Sequence, residues 1–196
     1  MTWLEIKIAS LQKMFAIDGD TIEISDTVSP YLKAMPAAAN EALLLLSTCG
    51  CYIKKSTEIP SGSYEFDMSS VPDFYMLSGE EYVYGENGRR QSVNLPAENG
   101  TILQLDGDSA YRVYYYAYPG KITADTADDY ELPMSSEAAT IIPLYIASEL
   151  YKDDDISMAT VYRNEFEAAR AELIEAFRKK QSNYGRERFE CHSGWL

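Results

Sequence analysis

Residues 162–177, YRNEFEAARAELIEAF, carry Tyr162, Phe166, Ala169, Leu173 and Phe177 at successive spacings of four, three, four and four. That is the period of one helical face, so these side chains form an apolar stripe that must be buried against a partner. Asp153, Asp154 and Asp155 stand just upstream as a short acidic loop able to cap the helix. Before them a second helical pattern runs to Tyr151, with Ser135 or Ser136 as its cap and Glu137 beside the positive end of the helix dipole. Pro143 either kinks that helix or marks where its regular part begins.

The other chain end reads similarly. Leu4, Ile8, Leu11 and Phe15 lie on one stripe of a helix from about Thr2 to Ala16, which Asp18, Gly19 and Asp20 break. Ser29-Pro30 reads as an N-cap followed by proline at the first helical position. The helix it opens runs to Thr48, with Tyr31, Met35, Ala39, Ala42 and Leu46 pointing inward, and Gly50 ends it. Pro36 is expected to kink it or to mark a later start. Because Leu43, Leu44, Leu45 and Leu46 cover most of its circumference, burial on more than one side is expected.

Between the helical ends the texture changes to tyrosine, valine and turn signals. Asn87-Gly88, Asn99-Gly100 and Asp106-Gly107 each favour the positive backbone angles of tight hairpins. Strands are expected at Tyr52–Thr57, Ser63–Asp67, Tyr82–Tyr84, Ser92–Leu95, Thr101–Leu105 and Tyr111–Tyr118. In the last of these, period two puts Arg112, Tyr114, Tyr116 and Tyr118 on one face and Tyr111, Val113, Tyr115 and Ala117 on the other. One face is core; the other packs on a helix or forms a contact surface for sugar or protein.

The fold class expected is therefore α+β, a helical bundle built from residues 1–50 and 131–181 with an inserted antiparallel β-rich domain at 51–130. Residues 182–196 lose the helical period but keep Arg186, Arg188, Phe189, Trp195 and Leu196. Charge with aromatic anchors is the composition of an interface hot spot, and a frayed end is the alternative.

A net charge of −14 opposes any surface that grips nucleic acid, since phosphate binding needs clustered Lys and Arg. The main basic cluster, Arg178 to Lys180 with Arg186 and Arg188, leaves the acidic balance upstream. The apolar run Ala42–Cys51 is far shorter than the roughly 20 residues a bilayer crossing needs, and Met1–Ala9 does not read as a secretion signal. Cys49, Cys51 and Cys191 are expected as reduced thiols, because C-x-C lacks the second pair of a zinc site.

No chemistry is expected. The sole histidine, His192, sits in the tail beside Cys191, a poor place to assemble a nucleophilic relay. Asp18-Gly19-Asp20, Asp106-Gly107-Asp108 and Asp153–Asp155 miss the calcium-loop pattern and read as turns and caps. No phosphate-binding glycine motif occurs, so no cofactor is implied. Glu80 and Glu81 lack a partner acid at a defined distance for hydrolysis.

Pro143-Leu144-Tyr145-Ile146-Ala147-Ser148-Glu149-Leu150-Tyr151, an acidic break, then Ala159-Thr160-Val161-Tyr162-Arg163-Asn164-Glu165-Phe166 resembles the C-terminal helix pair of tailed-phage head-tail connector (adaptor) proteins. Asn40-Glu41-Ala42 is similar to that family's second helix, and the likeness covers roughly the two helical ends. It implies a virion neck protein, made in the host cytoplasm, that forms a ring, commonly of twelve copies, under the portal protein. It further implies contacts to tail or neck proteins, a channel through which DNA passes, and a C-terminal extension docked into the portal, here Gln181 to Leu196. The β-rich insert is longer than in the simplest connectors. The rival reading is a virion binding or decoration module, a β-sandwich recognising carbohydrate or protein.

Overall fold

The computed structural model describes residues 1–78, 82–85, 90–92 and 101–184. Glu80, Glu81, the turns expected at Asn87-Gly88 and Asn99-Gly100, the end of the strand expected at Ser92–Leu95, and Arg186, Arg188, Phe189, Cys191, His192, Trp195 and Leu196 lie outside these residues. Helices and strands are mixed, and every strand pair among the described residues is antiparallel.

Helix α1 (Trp3–Lys13) opens with a capping box. The Thr2 hydroxyl accepts from the Glu5 N–H at 3.2 Å, and the Glu5 carboxylate accepts from the Thr2 N–H at 2.8 Å, satisfying two donors the helix leaves free. Its buried stripe is Trp3, Ile6, Ser10 and Leu11, continued by Met14. The expected stripe is thus corrected: Leu11 is buried, but Leu4 and Phe15 are exposed and Ile8 is only half-buried. Trp3 and Ile6 bury the larger apolar surface, and Ser10 can join them because its hydroxyl donates to the Ile6 carbonyl at 2.7 Å. Phe15 lies past the helix end at φ 53°, which takes it off the stripe.

Helix α2 (Val28–Thr48) starts earlier than expected. Thr27 occupies its N-cap and Ser29 is already helical; the Ser25 hydroxyl accepts from the Val28 N–H at 3.2 Å in place of a Ser29 cap. The helix runs without interruption through Pro36. Met35, Ala39, Ala42 and Leu46 are buried as expected, and Tyr31 is half-buried. The four leucines divide: Leu43 and Leu46 are buried, Leu45 is half-buried and Leu44 is 46% exposed, so one edge of α2 stays uncovered.

The chain then enters β1 (Ile53–Ile59), β2 (Glu65–Asp67), β3 (Phe74–Leu77), β4 (Tyr82–Gly85), β5 (Arg90–Ser92), β6 (Ile102–Gln104) and β7 (Tyr111–Ala117). β7 is the central strand. β1 pairs along its whole length, while the other side is shared by β4 at Tyr111–Val113 and by β3 at Tyr115–Ala117; β5 extends the sheet beyond β4. β2 and β6 form a separate ribbon, and Phe66 and Leu103 from it join Ile53, Ile59, Met68, Val83 and Val113 in one apolar cluster. β3 was not anticipated from the sequence. Asp106-Gly107, expected as a hairpin turn, instead carries the chain from the ribbon to the main sheet, although Gly107 does take φ 78°.

After β7 the chain folds back along the helices. Asn40 on α2 clasps the Ile122 backbone with both ends of its amide, donating to the carbonyl and accepting from the N–H at 2.8 Å each. The first residues are bound to the same returning strand of chain: the Trp3 N–H donates to the Tyr130 carbonyl at 2.8 Å, and the Leu132 N–H to the Met1 carbonyl at 3.1 Å. The helix expected from Ser135 or Ser136 to Tyr151 is two pieces, α3 (Ser136–Ala139), capped by Ser135, and α4 (Ile142–Leu150), with Pro143 in its first turn where its missing N–H costs nothing.

Asp155 caps α5 (Ile156–Tyr184) by accepting from the Ser157 and Met158 N–H groups at 2.9 and 3.1 Å. α5 runs on through Ser182, Asn183 and Tyr184, so the expected tail begins later than residue 182. α4 packs against α1, α2 and α5, and these four helices contribute to one apolar cluster containing Trp3, Met35, Leu43, Ile142, Ile146 and Phe166.

Asn40→Ala should cost about 2 kcal/mol, because it breaks two hydrogen bonds and strands the Ile122 amide groups away from water. Leu44→Ala, on the uncovered edge of α2, should stay within about 0.5 kcal/mol. Urea unfolding monitored by circular dichroism distinguishes the two, and a loss within about 0.5 kcal/mol in Asn40→Ala would show that the Asn40 clasp contributes nothing.

Candidate functional site

The strongest candidate surface is the sheet face opposite the β-domain core. Tyrosine and valine suit a pleated, half-buried strand, and β7 uses them on both sides. Its inward residues Tyr111, Val113, Tyr115 and Ala117 are all buried in the cluster that the β2–β6 ribbon joins. Its outward residues are the expected contact face, and they do not behave alike. Arg112, Tyr114 and Tyr118 are exposed, whereas Tyr116 is buried, its ring stacked on Tyr52 with centroids 4.2 Å apart. Tyr116 therefore serves as packing, a correction to the four-residue face read from period two.

Strand register assembles the rest. Glu58 on β1 and Tyr84 on β4 both stand opposite Arg112, so the three side chains form one row across the outer face. The Arg112 guanidinium donates to the Glu58 carboxylate at 2.6 Å. One residue pair further along β7, the Tyr114 ring meets Tyr84 edge to face, with centroids 5.4 Å apart and planes at 89°. Together with Gly85, Ala110 and Tyr111 these residues line a cleft of about 410 Å³. At the other end of β7, Tyr118 leans on Tyr75 at 5.0 Å.

Glu58 and Tyr84 escaped the sequence reading. Their relation to Arg112 depends on which strands flank β7, and more than fifty residues separate β1 from it, so no local spacing records the pairing.

The inner face holds β7 in place through a polar anchor. Asp73, just before β3, accepts from the Tyr115 hydroxyl at 2.8 Å and from the Lys55 ammonium, and its carbonyl accepts from the Tyr118 N–H at 2.8 Å. Burial alone would raise the Asp73 carboxyl, but the hydrogen bonds from Lys55 and Tyr115 outweigh it and hold the group below the usual carboxylate range. Burial first, and then the bond to Asp73, push the Tyr115 phenol up to about 12.

Asp106 accepts from the Asp108 N–H at 3.0 Å and from the Tyr111 hydroxyl, and Asp154 accepts from the Tyr31 hydroxyl at 2.7 Å; both are structural acids. Among the described residues no group of His, Cys, Asp and Glu is arranged to hold a metal ion. Cys49 and Cys51 are free thiols, and burial pushes Cys51 up to about 11 despite the nearby Arg170, so it stays protonated near neutrality. None of the described helices is long and apolar enough to cross a membrane. No protein-family model matches the chain, and no curated protein matches it.

A phenol that the fold keeps neutral contributes its stability in full below the unfolded value near 10 and loses it as pH rises through the folded value. Urea midpoints should therefore fall between about pH 10 and 12, driven by Tyr115 and by Tyr31, which its hydrogen bond to Asp154 also raises to about 12. Tyr115→Phe should remove part of that slope, and a profile identical to the wild type would refute the assignment.

Proposed function

We propose that this chain is a head-tail connector subunit of a tailed-phage virion, assembling as a homo-oligomeric ring of about twelve copies beneath the portal and joining it to tail or neck proteins. Residues 1–50 and 131–181 form the helical body, residues 51–130 the inserted β-rich domain, and the segment beyond α5 engages the portal. The observation that carries the proposal is the shared apolar cluster: helices preceding and following the sheet contribute to it, and the α4–α5 pair, on which the resemblance to connector proteins rests, packs within it. There Phe166 meets Tyr145 edge-on at 5.0 Å, and Arg163 lies 4.7 Å over the Tyr145 ring while pairing with Glu167 at 3.2 Å.

Two further features support it. A ring subunit needs apolar surface for its neighbours, and a groove of about 580 Å³ between α3 and α5 has Ile141, Ala169, Leu173 and Ala176 in its lining, rimmed by Ser136, Glu137, Thr140 and Glu172. The charge of −14 suits a channel that lets DNA slide without holding it; a ring with a strongly basic lumen would count against the proposal.

The test is light scattering with negative-stain imaging of the purified protein, alone and mixed with a portal ring. A portal-dependent ring is expected, and a persistent monomer that ignores the portal would overturn the assignment. Deleting residues 185–196, which leaves α5 entire, should abolish docking without moving the melting midpoint; undiminished docking would reject the role of the tail.

A further inference from the structure

The cleft on the outer sheet face is not used by the proposed connector role. Its lining has three properties that together define a ligand. The first is charge balance: Arg112 and Glu58 neutralise one another, so the cleft offers neither a free cation to an anionic ligand nor a free anion to a cation. The second is hydrogen-bonding geometry. Glu58 remains 75% exposed, and a guanidinium beside a carboxylate presents donors and acceptors a few ångströms apart, with capacity beyond the single bond they share.

The third is aromatic surface at the same place. Tyr114 is 42% exposed and Tyr84 stands perpendicular to it, so the two rings make an apolar corner beside the polar pair. The cleft's volume falls in the range of small-molecule sites. It lies on the face of the sheet over β1, β7 and β4, whereas an added peptide strand pairs in the plane of the sheet at an edge.

A ligand that satisfies all three is uncharged, carries adjacent hydroxyls that each donate and accept, and has an apolar C–H face to lay on a tyrosine ring. We propose that the cleft formed by Glu58, Tyr84, Arg112 and Tyr114 binds a neutral carbohydrate. A pyranose places its C–H face on Tyr114 and a vicinal pair of hydroxyls on the Arg112–Glu58 pair, donating to the carboxylate and accepting from the guanidinium. Sialylated and sulfated sugars are disfavoured, because the Glu58 carboxylate offsets the guanidinium charge at the cleft and the protein as a whole is strongly acidic.

The experiment is binding of the full chain to a printed array of neutral, sialylated and sulfated oligosaccharides, followed by titration of the best neutral hit. Retention of at least one neutral oligosaccharide is expected, with affinity falling about tenfold or more in Tyr114→Ala and in Glu58→Gln and unchanged in Tyr118→Ala, which alters the same face outside the cleft. Glu58→Gln keeps the shape of an exposed side chain, so it tests the charge pair even if Tyr114→Ala lowers the melting midpoint. Retention of acidic glycans alone, of no glycan, or of a neutral glycan equally by wild type and Glu58→Gln would each overturn the assignment, as would an equal loss in Tyr118→Ala. Glycan binding is shared with a carbohydrate-recognising virion module, whereas portal docking is not, so the two proposals fail on different measurements.

Discussion

The pairing of β1 with β7 is the constraint from which the rest follows. Ile53 stands opposite Ala117 and Ile59 opposite Tyr111, so the strand that leaves α2 and the strand that returns toward α3 lie side by side along their full length. A long excursion can therefore begin and end at one place, which keeps the helices before and after it within reach of each other. The closure entropy of such a loop grows only slowly with its length, so the 51 residues between Ile59 and Tyr111 add little to the cost once the two strands are paired. The Asn40 clasp on Ile122 then fixes the returning chain at a single register against α2. With Ile122 held, Trp3 and Leu132 can bond across the first and last turns of chain around the helical cluster.

Polar contacts in this protein mostly fix position, and apolar burial supplies the driving force. Ser10 and Ser148 are buried yet spend their hydroxyls on helix carbonyls, which lets two helices approach closely without leaving an unpaired group. The Tyr162 hydroxyl reaches the Lys13 carbonyl at 2.5 Å and the Tyr151 hydroxyl the Met14 carbonyl at 3.1 Å, so two tyrosines from the α4–α5 corner cap the open end of α1. Those bonds take up the carbonyls that a helix end exposes, and the chain turns there through Phe15 in the left-handed region. The aromatic rings give these contacts their bulk, and the hydroxyls give them their register.

Helix periodicity was legible because each helix packs along one stripe. In α5 the expected stripe faces the core, with Tyr162 and Phe166 buried and Ala169, Leu173 and Phe177 half-buried against it, and Asp155 takes the cap its position suggested. In α1 a consistent spacing of Leu4, Ile8, Leu11 and Phe15 competed with a second stripe through Trp3, Ile6 and Ser10. The second prevailed because a tryptophan outweighs a leucine in buried area and because a serine can be satisfied by its own helix. The strands of the β region were legible one by one from alternation, yet their partners were not. Asp106-Gly107 has the composition of a hairpin, but its flanking strands β6 and β7 belong to different sheets, a fact set by tertiary pairing alone. The same gap hid Glu58 and Tyr84 from the outer face, since a row across three strands has no linear signature.

The two faces of β7 are physically coupled, which explains why an open row of polar and aromatic side chains can hold one geometry. On the inner side Tyr115 and Lys55 meet on Asp73, tying β1, β7 and the start of β3 together beneath the sheet, with Val83 buried beside Val113 to seat β4. Strand alternation then leaves Arg112 and Tyr114 no orientation but outward, and register sets Glu58 and Tyr84 on either side of Arg112. A slip of one residue in either pairing would turn Tyr111, Val113 and Tyr115 to water and the charged pair into the core, a cost far above the loss of any surface contact. The outer row is thus positioned by the buried tyrosines rather than by its own bonds, and side chains that gain little from each other in water are nevertheless held together.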